Sequence, residues 1–422
     1  MREGVTSPPP VWTTDDEPAR SALQNSQECD LAIVGGGIVG LTAAEFASRH
    51  DLRVCVVEAD RVGSGASGSN AAGVAPIWGA QTPAGVVGVF GDEQAAILNA
   101  ALATACIALL ERARSMPGRC DVVEGGFLAL AARADTAASL AQLSEQWQRA
   151  GADVTLLGKK IALQIDSPRY VEGLLFGAGG TLNPLAYVAG LARLSESQGV
   201  RIFEKSPVVE VRRQSNGRWT VVSGAGRLDA ATVVLAVHGA TGMGRELDRI
   251  GCRIDCQLIG STPLTQAQQI ALPRAPTFAD LDDASIFGGT LTADGRLVAT
   301  VLPGPGALSI SNAGDVYGSK LARAFPGIAP PQWESMSGGH IIVTRNKLPQ
   351  LLQLAPGMYA GHGCNGYGLC AGTLLGEDLA RVALQRAEMP HRFPLEVPRV
   401  SRLARLIPSI VRHAVPVVRR FS

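Results

Sequence analysis

A glycine motif near the N-terminus has the residue types and spacing of a phosphate-binding turn. Residues 35–40 read Gly-Gly-Gly-Ile-Val-Gly, which supplies the pattern G-x-G-x-x-G. In this pattern the first glycine makes a tight turn, the second lets the backbone approach a pyrophosphate, and the third lets a helix pack closely on a strand. The helix that follows offers N–H groups and a positive dipole end to the phosphate. Gly35, Gly37 and Gly40 are therefore predicted to bind a dinucleotide; the alternative is a glycine-rich turn in an ordinary α/β unit.

An acidic residue follows the motif where a dinucleotide site requires one. Glu58 comes directly after residues 53–57, an apolar run with the character of a second strand. A carboxylate at this place accepts hydrogen bonds from ribose hydroxyls and would repel a 2′-phosphate. The elements that must position these groups are a buried parallel strand over 31–34 and a helix after residue 40. The motif alone does not separate NAD from FAD.

A second glycine-rich segment lies near the C-terminus, at the start of another predicted helix. Residues 360–380 read AGHGCNGYGLCAGTLLGEDLA, and apolar side chains follow one face of a helix predicted over 369–384. Glycine is costly in regular structure, so its repeated use indicates a close approach to the backbone. A flavin ring needs a segment to hold its pyrimidine edge, and a positive helix end there would stabilise the reduced ring. The two segments together favour FAD; the alternative is a loop that ends a strand at 357–361.

Composition limits the classes of function. The chain has 422 residues, 46% of them hydrophobic and 18% charged, which suits two globular domains. A formal net charge of +1 gives no reason to expect nucleic-acid binding. The eight cysteines form no metal-binding pattern, so we expect buried, reduced thiols and no metal site. Residues 1–28 contain no apolar signal segment and are interpreted as an extended arm, and a cytoplasmic location is expected.

Four stretches of the sequence resemble the FAD-dependent oxidoreductases of the D-amino-acid oxidase family. Within that family the resemblance is to the γ-glutamylputrescine oxidase-like amine oxidases. The four stretches occur in the family's order, and the first and last are specific in combination. They are DRVGSGASGSNAAG at 60–73, GTLNPLAYVAGLARLSESQGVRIFEKSPVVEV at 180–211, TRNKLP at 344–349 and GCNGYGLCAG at 363–372.

The resemblance implies an α/β fold with a Rossmann-like FAD-binding domain and a second, α+β substrate domain built on an antiparallel sheet. A hairpin over 217–242 is expected to end in a strand that returns to the Rossmann-like sheet. The predicted division of the chain is a discontinuous FAD-binding domain (29–80, 150–240 and 350–390), a substrate domain (81–149 and 241–349), an N-terminal arm (1–28) and a basic C-terminal tail (391–422).

The resemblance also implies which residues hold the cofactor. Ser67 and Asn70 would line the flavin, Val209 would lie near the adenine, and Tyr367 is the candidate that faces the substrate. Non-covalent FAD is expected, because Gly339 lies about where one covalent relative has its cysteine. The complete predicted set of cofactor residues is Gly35, Gly37, Ile38, Val39, Gly40, Glu58, Ala59, Arg61, Ala66, Ser67, Asn70, Val209, Gly366, Tyr367 and Gly368.

Departures from the family pattern bear on the substrate. The last motif has Asn365 and Tyr367 where serine and histidine are usual. The family's W-G-G reads Ser-Gly-Gly at 337–339, so an aromatic wall is missing unless Trp333 replaces it. Residues 284–297 have glycine where many relatives carry an arginine. An arginine there would suit a carboxylate, so its absence weakens a simple amino-acid substrate.

The resulting hypothesis is the FAD-dependent oxidation of a small-molecule amine, with hydride transfer to flavin N5, hydrolysis of the imine, and reoxidation by O2 or another acceptor. The alternatives are a D-amino or imino acid oxidase, or an accessory flavoprotein that acts on a protein- or carrier-bound substrate. An aromatic hydroxylase would require a G-D motif before the last helix, but the segment there reads Gly-Tyr-Gly.

Residues 399–422 contain six arginines and no acid. Peripheral membrane contact through this tail is considered but not favoured.

Overall fold

The computed structural model describes residues 8–14, 17–237, 247, 250–283, 286–303 and 306–398. Within them a 310 helix covers Gly158–Leu163. The α-helices are α1 (Ile38–Ser48), α2 (Pro83–Phe90), α3 (Asp92–Ser115), α4 (Ala134–Arg149), α5 (Pro184–Ser197), α6 (Gln266–Ala271), α7 (Ile310–Ala324) and α8 (Gly368–Leu384).

The strands of the described residues form three sheets. In chain order they are β1 (Asn25–Val34), β2 (Val54–Val57), β3 (Gly73–Val74), β4 (Val123–Glu124), β5 (Phe127–Ala131), β6 (Val154–Leu156), β7 (Glu172–Phe176), β8 (Gly180–Thr181), β9 (Arg201–Phe203), β10 (Val208–Arg213), β11 (Trp219–Ser223), β12 (Gly226–Leu235), β13 (Gly251–Pro263), β14 (Thr277–Asp280), β15 (Phe287–Leu291), β16 (Arg296–Val301), β17 (Trp333–Thr344), β18 (Gln350–Ala355), β19 (Met358–His362) and β20 (Leu395–Glu396).

The nine-stranded sheet carries the N-terminal motif. Its order is β20-β18-β19-β12-β1-β2-β9, and β19, β12, β1, β2 and β9 run parallel. Because side chains alternate along a strand, Leu31 and Ile33 of β1 pack towards α1, α5 and α8, whereas Ala32 and Val34 pack into the core on the other face. The predicted strand at 31–34, the helix after the motif and the return of the hairpin strand to this sheet are confirmed.

The eight-stranded sheet has the order β17-β13-β16-β15-β14-β5-β7-β6. All of its pairs are antiparallel except β14 with β5. Helix α7 covers one face, where Tyr317 and Leu321 join a core with Phe278 and Phe287. The three-stranded sheet pairs β3 and β4 with β8. The predicted combination of a Rossmann-like unit with a largely antiparallel sheet is confirmed.

The predicted domain limits differ from the sheet topology in one place. Strands β6 and β7 fall inside 150–240, which the predicted division places in the FAD-binding domain, yet they pair with β5 in the eight-stranded sheet. The reason is that β7 is apolar over Leu174 and Phe176, which pack against Trp147 of α4. Sequence spacing does not reveal this pairing because the strands are short. The remaining limits stay a prediction.

Helix α3 is the described helix that is long and apolar enough, by length and composition, to cross a membrane. Half of its most apolar window is buried inside the protein, where Leu102 and Cys106 pack in the core that contains α1 and α8. Its Arg112 also bonds the buried Glu45 of α1. Helix α3 therefore packs as a core helix, in contact with α8.

All eight cysteines are free thiols, and seven of them are buried. No group of side chains in the described part of the chain could hold a metal ion. The basic tail over 399–422 lies outside the described residues.

Candidate functional site

The glycine turn between β1 and α1 has the geometry that the sequence predicts. Gly35 has φ +112°, and a Cβ on it would overlap the carbonyl oxygen of Ala236. A Cβ on Gly40 would overlap the carbonyl oxygen of Gly35 and would lie 3.2 Å from the Ala236 side chain. A Cβ on Gly37 would lie 2.7 Å from Ser67 Oγ. These three positions therefore need glycine to keep the turn open and the helix close to the strand.

Two polar side chains lie at the N-terminus of α1. The backbone N–H of Gly36 donates to Glu58 Oε2 over 2.7 Å, and the N–H of Ile38 donates to Ser67 Oγ over 3.0 Å. Helix α1 has no side-chain hydrogen bond at its cap residue, Gly37. The acidic residue predicted for the ribose and the serine predicted for the flavin thus meet at the same helix end, which is where a pyrophosphate is bound in such sites.

The loop over 66–72 is held by Asn70. Its Nδ2 donates to the Ser67 carbonyl oxygen over 2.8 Å, and its Oδ1 accepts from the Ala72 N–H over 2.9 Å. The loop lines the cavity described below through Ala66 and Asn70, among others. Ser69 Oγ also lies in this lining and is buried with no hydrogen-bond partner among the described residues.

Three further predicted cofactor residues lie away from the cavity lining. Ala59 and Arg61 are exposed just beyond β2. Val209 is 66% exposed, and it is the residue that the β10–β11 register skips, so its backbone lies outside the ladder at a bulge. A bulge re-aims the backbone, which suits an adenine contact made by main-chain groups. The roles of these three residues stay predictions.

The second glycine-rich segment ends β19 and begins α8. Glycine is required for different physical reasons at different positions of this segment. A Cβ on Gly361 would lie 2.7 Å from the Leu379 side chain, and a Cβ on Gly376 would lie 2.6 Å from the Val39 carbonyl oxygen. Both therefore permit α8 to pack closely on β19 and α1. Gly366 has φ +87° at the turn into the helix. By contrast, Gly372 has only ordinary packing distances around it.

A cavity of about 290 Å3 joins the two glycine segments. Its lining includes Ile38 and Val39 from the first turn of α1 together with Gly366, Tyr367 and Gly368 from the start of α8. The cap residue of α8, Tyr367, makes no side-chain hydrogen bond to that helix end. The positive end of α8 therefore faces the cavity, as a flavin pyrimidine edge requires.

The remaining walls of the cavity come from the eight-stranded sheet. Phe127 supplies aromatic surface, whereas the rings of Phe278 and Phe287, in edge contact at 6.0 Å, pack into the core beneath α7. Thr277 and Thr290 add a pair of hydroxyls 3.2 Å apart. Sequence reasoning missed these residues because they come from strands whose pairing is set at long range, although apolar alternation marks the strands themselves.

Tyr367 lies in the cavity lining, and Gly79 makes room for its ring. A Cβ on Gly79, which has φ +72°, would lie 2.6 Å from the Tyr367 ring. Desolvation raises the pKa of the Tyr367 phenol, so this group stays protonated at neutral pH. Its role towards the substrate stays a prediction.

The other sequence candidates are distributed differently. His340 lines the cavity, whereas His362 is buried on β19 and Arg345 is exposed. His238 lies outside the described residues. Trp333 packs on Tyr317, with ring centroids 5.5 Å apart, and is not part of the cavity lining. The suggestion that Trp333 replaces the family's aromatic wall is therefore wrong, because its ring joins the core beneath α7.

The two thiols in the lining bear on covalent attachment. Cys256 pairs with Gly339 across β13 and β17, and Cys364 precedes α8. Burial raises the pKa of Cys256 to about 11 and that of Cys364 to about 12, so both are neutral thiols at neutral pH. Because the thiolate is the reactive form, this favours the predicted non-covalent FAD.

The residues present fit FAD. The glycines of the first turn leave space that a Cβ would fill, and two helix N-termini face one continuous site. The buried Ser69 Oγ, on a residue of the lining, has no hydrogen-bond partner among the described residues, and a bound polar group could supply one. A dinucleotide at α1 with a flavin ring extending to α8 satisfies each of these features.

Comparisons with known proteins agree with this geometry. The chain is 26% identical over 370 residues to γ-glutamylputrescine oxidoreductase of Escherichia coli K12, covering 87% of this chain and 86% of that protein. The crystal structure of glycine oxidase from Geobacillus kaustophilus superposes with a TM-score of 0.67 at 20% identity, covering 85% of this chain and 95% of that one. L-proline dehydrogenase from P. horikoshii superposes with a TM-score of 0.70 at 16% identity, covering 87% of this chain and 96% of that one.

The family comparison covers the described core of the chain. Residues 30–382 match the DAO family model, described as FAD dependent oxidoreductase. The match includes both glycine segments and the strands that build the cavity. The resemblance drawn from the four sequence stretches is thereby confirmed, and the chain belongs to the DAO family of FAD-dependent oxidoreductases, with FAD as its cofactor.

Proposed function

We propose that this enzyme oxidises a C–N bond of a small amine that carries no carboxylate on the reacting carbon. The observation behind the proposal is the chemistry of the cavity wall. Among the lining residues that the structure describes there is no lysine, arginine, aspartate or glutamate. Two glycines of the 284–297 stretch, in which many relatives carry an arginine, are Gly288 and Gly289, and both lie in this wall.

Backbone geometry supports glycine at these two places. A Cβ on Gly288 would lie 2.5 Å from the Phe278 carbonyl oxygen, and a Cβ on Gly289 would lie 2.8 Å from the Tyr317 hydroxyl. No longer side chain can enter the cavity from either position without moving the sheet. A substrate carboxylate would therefore be buried without a lysine or arginine partner, which disfavours a carboxylate on the reacting carbon.

The protein's part in the reaction is to bind and orient a neutral amine in a dry cavity. When bound, FAD accepts the hydride that leaves the α-carbon. Apolar lining residues such as Phe127, Leu258 and Ile341 exclude water and hold the apolar part of the substrate. The start of α8 at Gly368 provides positive potential where negative charge develops. The amine also releases a proton, and the imine product is hydrolysed to a carbonyl compound.

Anaerobic bleaching of the flavin absorbance tests the proposal. We expect primary or secondary amines such as putrescine, γ-glutamylputrescine and phenethylamine to be the class that reduces the flavin, and glycine, sarcosine, proline and D-amino acids to leave it oxidised. Protein that holds FAD and is bleached by the amino acids alone would contradict the proposal and favour an amino-acid oxidase.

The rate should increase with pH because the substrate reacts as the neutral amine. An alkylamine has a pKa near 10.4, as lysine does, so kcat/KM should rise about tenfold per pH unit from pH 7 to pH 9. Burial raises the pKa of Tyr367, so its phenol stays protonated in this range and should not titrate there. The measurement is kcat/KM against pH for two amines of different pKa.

The midpoint of that profile identifies the group that titrates. We expect the midpoint to move with the pKa of the amine and to be the same in Tyr367→Phe. A midpoint that stays fixed when the substrate changes would assign the limb to a protein group such as His340, which lines the cavity.

A further inference from the structure

Residues 8–14, here called the N-terminal strap, lie along the eight-stranded sheet beside the cavity wall. The Met336 N–H donates to the Pro9 carbonyl oxygen over 2.9 Å, and the Val11 N–H donates to Ser337 Oγ over 3.1 Å. Both partners belong to β17, and Ser337 also lines the cavity. The segment predicted as an extended arm is thus extended but fixed to the sheet.

Trp12 joins the strap to the flavin-facing loop. Its ring is only 5% exposed and packs in one cluster with Ala72 and Leu258, two residues of the cavity lining. Its indole N–H donates to the Asn70 carbonyl oxygen over 2.8 Å. The guanidinium of Arg296 lies 5.8 Å from the ring centroid. One side chain therefore contacts the loop on one side and the sheet on the other.

The same contacts continue to the dinucleotide turn. Asn70 receives the Trp12 hydrogen bond at its backbone and uses its side chain to hold Ser67 and Ala72. Ser67 Oγ then accepts the N–H of Ile38 in the first turn of α1. A shift of Trp12 would therefore move Asn70 and Ser67, the two residues predicted to line the flavin.

We propose that the N-terminal strap clamps the 66–72 loop against the eight-stranded sheet, and that Trp12 is the positioning residue that sets the loop for FAD. None of residues 8–14 is in the cavity lining, so the strap acts through Asn70. A loop that is already ordered loses less conformational entropy when FAD binds, so the clamp increases FAD affinity. This inference goes beyond the proposed substrate, because it concerns cofactor retention.

The experiment compares Trp12→Phe with Trp219→Phe in the full-length protein. Phenylalanine keeps an apolar ring and removes the indole N–H. Trp219 is a matched control, because it is also 5% exposed, its Nε1 has no hydrogen-bond partner among the described residues, and it packs in a different core. The measurements are the Kd of FAD for the apoprotein, the fluorescence of bound flavin, and the melting temperature of the apoprotein.

We expect Trp12→Phe to weaken FAD binding about five- to tenfold, the scale of one lost hydrogen bond, and to increase the fluorescence of bound flavin. Trp219→Phe should leave both within twofold of the wild type, even if it lowers the melting temperature. Equal FAD affinities in Trp12→Phe and the wild type would overturn the proposal, as would equal losses in the two variants.

Arg296→Gln provides a second route should Trp12→Phe fail to fold. Arg296 Nη1 donates to the Val11 carbonyl oxygen over 3.0 Å, and Arg296 is not among the lining residues. This variant should weaken FAD binding in the same direction by about two- to threefold, and unchanged affinity would overturn the proposal. Both readouts use FAD alone, so the result is independent of which amine is oxidised.

Discussion

Gly40→Ala should yield a folded protein that does not retain FAD. The new methyl group would overlap the Gly35 carbonyl oxygen and would lie 3.2 Å from the Ala236 side chain. The first contact is with the turn itself and the second with the end of β12, so relief requires α1 to move away from the sheet and takes its N-terminal N–H groups out of position. Overpacking of this kind costs up to about 3 kcal/mol, which corresponds to a Kd for FAD raised ~100-fold.

The measurement is the ratio of flavin to protein after purification and after reconstitution with excess FAD. Gly88→Ala and Gly318→Ala are matched controls, because each lies in a helix and a Cβ there would have nothing within 4 Å. Both controls should keep a full complement of flavin. A Gly40→Ala protein that also retains it would show that α1 can move without disturbing the cofactor site.

The sequence predicts the two ends of the cofactor site well, because each end is local in the chain. The turn at Gly40 and the start of α8 depend on residues that are close in sequence, and glycine spacing records both. The packing of Gly376 on Val39 joins distant segments, yet small size at a helix face still indicates it. Chemistry that depends on neighbouring residues can therefore be inferred from their types and spacing.

The walls of the site are less predictable because they depend on long-range pairing. Thr277 and Thr290 meet across β14 and β15, and nothing in their own sequence context assigns them to the cavity. Trp12 comes from a polar, proline-rich segment whose composition gives no sign of burial. Ser69 lies in the stretch over 60–73, but the resemblance assigns it no role. Each of these residues is placed by packing between segments far apart in the chain.

The absence of lysine and arginine from the described cavity wall should make the enzyme discriminate sharply against carboxylates. For phenethylamine and phenylalanine, which differ by one carboxylate on the reacting carbon, we expect kcat/KM to differ at least ~1000-fold in favour of the amine. The basis is the unpaired burial of a carboxylate, which costs several kcal/mol.

Phenylalaninamide separates charge from size in this comparison. Its carboxamide has nearly the shape of the carboxylate but is neutral, and the hydroxyls of Thr277 and Thr290 offer it hydrogen-bonding groups in the lining. We therefore expect the amide to fall within about tenfold of phenethylamine. If the amide were rejected as strongly as phenylalanine, the discrimination would be steric. If phenylalanine were oxidised as well as the amide, a cation, whether at His340 or outside the described wall, would have to neutralise its carboxylate, and a carboxylate-free substrate class would be the wrong assignment.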